Sequence, residues 1–185
     1  SFALMLLLLA PQDHTDALLD TMVAESDRLG SAVCRSLREG VLEAAAGLLN
    51  ALMRHRSRPT LDAAFEQSLT IVYRILFLLF AEARHLVPLW HPIYRESYCL
   101  GTLLETAGQA PTYPGLWEAL RAVSRLAHAG CRAGDLNVTP FNGRLFAPTR
   151  APLAERRDID DRAARDALFA LATRPAADRS GRPRG

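Results

Sequence analysis

Residues 60–84 read TLDAAFEQSLTIVYRILFLLFAEAR. Thr60 has the side chain of a helix N-cap. Behind it Asp62, Glu66, Thr70 and Arg74 recur every four residues, the spacing of neighbours on a helix surface. After Arg74 the polar stripe stops, and Ile75–Ala81 is apolar on every side. A helix without a polar face is buried all round. The second half of this helix is therefore expected to be the central element of the fold, with Tyr73, Leu76, Phe77, Leu79 and Phe80 in the core. Glu82 and Arg84 mark its return to water, and Pro88 breaks the helical pattern beyond them. The apolar run is too short to span a bilayer.

The flanking segments follow helical periodicity as well. Thr15 and Asp16 can cap a short helix that buries Leu18, Leu19, Met22 and Val23. Ser31 can start a longer one, in which Val33, Leu37, Val41, Ala44, Leu48 and Leu52 form one face. Gly40 and Gly47 weaken it but let a neighbouring helix approach. Residues 85–114 are rich in proline and read as loop, with a short helix near Cys99–Thr106. Pro114 and Gly115 open another helix, with Leu116, Trp117, Leu120, Val123 and Ala127 inward and Gly130 as its stop. Residues 131–150 read as an irregular segment or a hairpin, with a turn signal at Asn142-Gly143. Asp158 can cap a last helix that buries Ala164, Ala167, Leu168 and Leu171.

These elements predict an all-α bundle around a buried central helix, with a short irregular insertion. Residues 15–173 form the helical domain. Residues 1–14 read as the end of a preceding unit, and residues 174–185 as a basic Pro/Gly-rich tail carrying four arginines against one aspartate. The total of 185 residues suits one domain.

Composition narrows the chemistry. All 22 basic residues are arginine, against 20 acidic ones, for a net charge of +2. Without lysine there is no complete phosphate-binding P-loop, no Schiff-base enzyme and no nuclease of the Glu-x-Lys kind. The near-neutral balance gives no strong whole-protein attraction to nucleic acid or membrane. Cys34, Cys99 and Cys131 are odd in number and far apart, which suits free thiols in a reducing cytoplasm. His85 and His91 lack a partner at metal-ligand spacing. Asp158, Asp160 and Asp161 suit a helix cap and its dipole better than catalysis. Arg121, Arg125 and His128 fall on one face of the 115–129 helix, and Arg121 with His128 loosely matches the arginine–histidine pair of small helical RNases. Arg54, Arg56 and Arg58, and Arg174 and Arg179 in the tail, are candidates for contact with a DNA backbone.

Several short words then occur in order. Residues 73–88 run Tyr-Arg-Ile-Leu-Phe-Leu-Leu-Phe-Ala-Glu-Ala-Arg-His-Leu-Val-Pro. Tyr94-Arg-Glu-Ser-Tyr98 comes next, then Leu116-Trp117, then Phe141-Asn-Gly-Arg-Leu-Phe146. The series resembles the helical region ahead of the methyltransferase domain in Eco57I-like (type IIG/IIL) restriction–modification adenine-specific DNA methyltransferases. That family's words read roughly YRLLFLLYAEDRGLLP, YRESYSL, LW and YNGGLF. Here its acid after Ala-Glu is Ala83, its next glycine is His85, and the second glycine of its last word is Arg144.

The resemblance implies a non-catalytic connector. The Asn-Pro-Pro-Tyr motif, the glycine-rich S-adenosylmethionine loop and the nuclease belong to neighbouring domains, and the chain carries none of them. The partners implied are those methyltransferase and nuclease domains, with DNA as a further candidate and no membrane. The cofactor, S-adenosylmethionine, would be bound by the parent enzyme outside this segment. Asn142 and Gly143 are expected to form a tight turn aiming Leu145 and Phe146 into a pocket that faces the methyltransferase domain. The competing expectation is a free-standing helical adaptor, or the RNase built on Arg121 and His128.

Overall fold

The computed structural model describes residues 12–54, 59–109, 114–156 and 159–172. The fold is all-α, with one small two-stranded sheet among the described residues. In order come α1 (Gln12–Met53), α2 (Leu61–Ala83), α3 (Pro92–Ser97), α4 (Leu100–Gln109), α5 (Leu116–Ala129), β1 (Cys131–Ala133), β2 (Leu136–Val138), α6 (Gly143–Phe146), a 3-10 turn at Pro148–Arg150, and α7 (Asp161–Ala172).

The chain divides into two units. The boundary falls inside α1, after Arg38. In the smaller unit the described residues belong to α1, which runs through Thr15 and Ser31 without a break. The Ser31 hydroxyl donates back to the Asp27 carbonyl at 2.7 Å. This bond satisfies a polar side chain in mid-helix, so serine need not start a new one. Met22, Val23, Val33 and Leu37 are exposed rather than buried. Periodicity marks a helix face but does not say what covers it. Leu18 and Leu19 lie outside the described side chains.

The larger unit, Glu39–Thr173, holds the core. Here the inward face of α1 is Ala44, Ala45, Leu48 and Leu52. Gly40 works as expected: a Cβ on it would collide with the Ala170 carbonyl of α7. Gly47 faces open space. Gly40→Ala should therefore destabilise the chain by about 1–3 kcal/mol. Gly47→Ala should stabilise it by up to about 1 kcal/mol. Urea unfolding of the two variants checks the pair.

α2 packs against α4, α6 and α7. It starts where the sequence places it: Thr60 Oγ1 accepts from Ala63 N at 3.3 Å. By length and hydropathy it is also long and apolar enough to cross a membrane, though about half of that window lies against the rest of the fold. The helix is not buried all round. Tyr73 is 57% exposed and Phe80 52%. Leu76, Phe77 and Leu79 are half-buried against the core. The polar groups Arg74, 4% exposed, and Glu82 point inward instead. Geometry explains Arg74. At 3.6 residues per turn, a step of four drifts by about 40°, so three steps carry Arg74 about 120° away from Asp62.

In the proline-rich stretch α4 is the short helix expected near Cys99–Thr106, and α3 is a further helix where loop was expected. Trp117 is buried in α5, and its indole N–H donates to the Arg156 carbonyl at 3.0 Å. Gly130 ends α5 with φ +71°. The segment after it is a true hairpin: Cys131 pairs with Val138 and Ala133 with Leu136, around Gly134 at φ +61°. Leu136 and Val138 are buried and Asn137 is exposed, so the hairpin covers a satellite core with Ala81, Val87, Tyr94 and Leu126. In α7 the inward residues are Ala164, Ala167, Leu168 and Leu171, as the periodicity predicts. Asp161 has a second task, since its carboxylate accepts from Gly115 N and Trp117 N, each at 2.8 Å, at the start of α5. An acid suits that helix N-terminus.

Candidate functional site

The words that carried the resemblance are far apart in sequence and meet in space. Arg74 reaches from α2 to the segment after α6. Its Nε donates to the Leu145 carbonyl at 3.1 Å and its NH2 to the Ala147 carbonyl at 2.8 Å. Glu155 lies 3.8 Å from its third nitrogen. Burial lowers the Arg74 pKa from its ordinary value, and the Glu155 charge works against that shift. A guanidinium has enough donors in a fixed fork to hold two carbonyls at once.

Glu82, two turns further along α2, does the same for α4. Its carboxylate accepts from Leu100 N at 2.6 Å and Gly101 N at 3.1 Å. The Cys99 thiol donates to it at 3.2 Å. Burial first, then the neighbouring Glu82, pushes the Cys99 pKa up, so the thiol keeps its proton. Tyr94 lies fully buried nearby, and burial with the Glu82 charge raises its pKa as well. Glu82→Ala would leave two backbone donors unpaired in the interior and should lower stability by about 2–3 kcal/mol. Glu82→Gln should cost less, because one oxygen still accepts. Denaturant midpoints of the two variants against the parent chain test the order.

The last word folds as expected at the turn. Asn142 has φ 48° and ψ 44°, and Gly143 begins α6. Phe146 is 1% exposed, edge-on to Phe77 at 5.8 Å and to Phe141 at 6.1 Å. It therefore fills a pocket, and that pocket is lined by this chain's own core. Asn142 and Arg144 are exposed, and Leu145 is half-buried.

The α2 terminus shows a second correspondence. His85 N donates to the Glu82 carbonyl at 3.0 Å and Leu86 N to the Ala81 carbonyl at 2.8 Å. This is the pattern of a Schellman C-cap, whose next residue is normally glycine in the left-handed region. Here it is His85, at φ 54°. Among the described residues, His85 and Asn142 are the two non-glycine residues with positive φ. These are the positions at which the family's words carry Gly and Asn.

The remaining candidates do not converge. Arg121 is buried, with NH1 at 2.7 Å from both Glu118 oxygens. Arg125 pairs with Glu155 at 3.1 Å. His128 Nδ1 lies 3.0 Å from the Gly143 carbonyl. The three residues of one helix face thus serve three different partners. His85 is exposed, whereas His91 is buried with Nε2 3.2 Å from Asp135. Among the described residues no group of three or more His, Cys, Asp and Glu side chains is placed to hold a metal ion. Arg54 is exposed at the end of α1. Arg56, Arg58, Asp158, Arg174 and Arg179 lie outside the described residues.

Sequence reading ended the polar stripe of α2 at Arg74, where the buried half begins, and allowed Glu82 a polar partner near the helix end, but it gave the partners of neither. The available signal was weak: their eight-residue separation leaves the two side chains about 80° apart around the helix, within one broad face. Comparison of the chain with protein-family models, curated proteins and solved structures finds no match.

Proposed function

We propose that the chain is the helical connector of a bacterial, cytoplasmic restriction–modification adenine-N6 DNA methyltransferase of the Eco57I-like group. One observation carries this reading. The backbone adopts left-handed geometry at His85 and Asn142, where that family's words have Gly and Asn. Left-handed geometry is the physical reason for a Gly or an Asn at such a position, so the backbone here fits the residues the family's words carry.

The connector's task is mechanical. Arg74 and Glu82 tie the segments around residues 145–147 and 99–101 to one helix, so α2 acts as the spine on which both are fixed. A spacer of this kind keeps its neighbours at a set distance. Methyl transfer from S-adenosylmethionine to adenine N6, and any cleavage of DNA, belongs to those neighbours. Exposed Leu86, Trp90 and Ile93 fit a surface that meets one of them.

The glycine correspondence makes a prediction. His85→Gly should raise stability by about 0.5–1 kcal/mol, because it relieves left-handed strain at the cap and gives back part of the gain as chain entropy. A thermal melt reads the difference.

A free-standing adaptor offers the same exposed apolar residues, and mass separates the two. Antibody detection of this sequence in its source cell should find a polypeptide several times heavier than 20.3 kDa. A polypeptide near 20.3 kDa would overturn the proposal.

A further inference from the structure

An open groove of about 410 Å³ lies between the outer face of α2 and the segment tied to it. α2 contributes Glu66, Thr70 and Tyr73; the segment contributes Asn142, Arg144 and Arg150. The segment is held at both ends. Arg74 grips the carbonyls of Leu145 and Ala147, and Leu153 N donates to Gln67 Oε1 of α2 at 2.7 Å. The two arginines therefore ride on an anchored backbone, which limits the freedom lost when a ligand arrives.

Their charges are uncommitted. Neither Arg144 nor Arg150 is ion-paired to a carboxylate among the described residues, and Glu66 is the one acid that lines the groove. Two guanidiniums against one carboxylate leave the groove positive. Tyr73 stands beside them with more than half its surface in water. Its exposure is unexplained by packing, since its neighbours on α2 cover the core without it. Arg144 occupies the place of a glycine in the family's word, so this cation is the chain's own addition.

The geometry points to this groove as a binding site for a DNA strand, with Arg144 and Arg150 on phosphates and the Tyr73 ring against the sugar or base between them. Guanidinium forks match phosphate oxygens. An aromatic ring inside a positive groove is the usual means of holding a nucleic-acid strand without reading its sequence. The choice of DNA over other polyphosphates rests on the restriction–modification reading above.

Fluorescence anisotropy of the full 185-residue chain with labelled single-stranded DNA, duplex DNA and RNA of one sequence, across a salt series, tests it. The chain should bind DNA, with affinity falling as salt rises. Arg144→Gln/Arg150→Gln should weaken binding at least tenfold and reduce the slope of log K against log salt by about 1.5, as two lost phosphate contacts require. Tyr73→Ala should weaken binding several-fold and leave that slope unchanged. Arg95→Gln, an exposed arginine on α3, should change nothing. Circular dichroism of each variant establishes that it is folded. Absence of DNA binding at about 50 mM salt, an unchanged slope in the folded double variant, or RNA bound tenfold better than DNA would overturn the site. Because the assay reads the groove in the isolated chain, its failure leaves the mass test untouched. A 20.3 kDa native product likewise leaves the groove assay untouched.

Discussion

Replacing Phe146 by alanine is expected to lower the unfolding free energy by about 3–5 kcal/mol. The ring is 1% exposed and touches Phe77 of α2 and Phe141 edge-on. Removing it forfeits the transfer energy of a large aromatic group and leaves a cavity between parts that cannot collapse together. α6 is tied to α2 by the Arg74 bonds on the carbonyls of Leu145 and Ala147, so the gap stays open. Edge-to-face ring pairs add about 0.5–1.5 kcal/mol beyond area burial. Total stability of a domain is about 5–15 kcal/mol, so the variant sits close to the limit of folding. Chemical denaturation reads the loss, and Phe146→Leu should recover more than half of it by refilling the space. A loss below about 1 kcal/mol would mean that Phe146 sits at the surface of the fold.

Arg74→Met should cost about 3 kcal/mol. The methionine keeps much of the apolar stem but none of the five donors. It leaves the carbonyls of Leu145 and Ala147 without their partner and removes one cation from beside Glu155. A buried acceptor left unpaired costs about 1–3 kcal/mol. Breaking a buried ion pair from one side is costlier than never having it. At about 2–4 °C per kcal/mol for a chain of this size, the melting temperature should fall by about 6–12 °C. Arg74→Lys should rescue less than half, because an ammonium is a point charge and cannot span two carbonyls as the fork does. A melting temperature within about 1 °C of the parent chain would show that Arg74 does not hold the segment.

Both substitutions act at the place where sequence reading was least complete. The elements themselves were legible. Thr60 caps α2, Gly130 ends α5, and Ala164, Ala167, Leu168 and Leu171 turn inward, because each rests on local chemistry or on a short periodic pattern. What failed was the step from composition to burial along α2. An unbroken apolar run predicts a helix buried on all sides, yet Tyr73 and Phe80 face water while Arg74 and Glu82 face in. Their burial depends on partners 17 to 73 residues away, from the Cys99 thiol and the amides at 100 and 101 to the carbonyls at 145 and 147. No local pattern encodes such partners.

In the stretch 85–114 the helix near Cys99–Thr106 was legible and α3 was not. Pro92 reads as a helix breaker, but at the first position of α3 it has no hydrogen bond to lose. α4 begins under the Glu82 carboxylate, whose reach cannot be read from α4 alone. α1 was divided at Ser31 because serine favours caps, although its hydroxyl can also bond back to the preceding turn. At the candidate site, Arg74, Glu82, Asn142 and Phe146 lie in the words quoted above, whereas Cys99, Leu100, Gly101, Ala147 and Glu155 do not. Those words did not say that the pocket of Phe146 belongs to the chain's own core.

The claim that this chain is part of an adenine methyltransferase is tested most directly on DNA. Genomic DNA from source cells with and without the gene should be mapped for N6-methyladenine at single-base resolution. The account predicts one recognition sequence that is methylated throughout the genome in the first and unmethylated in the second, with the mark restored by the full-length gene. Identical methylation in both cell lines would contradict it.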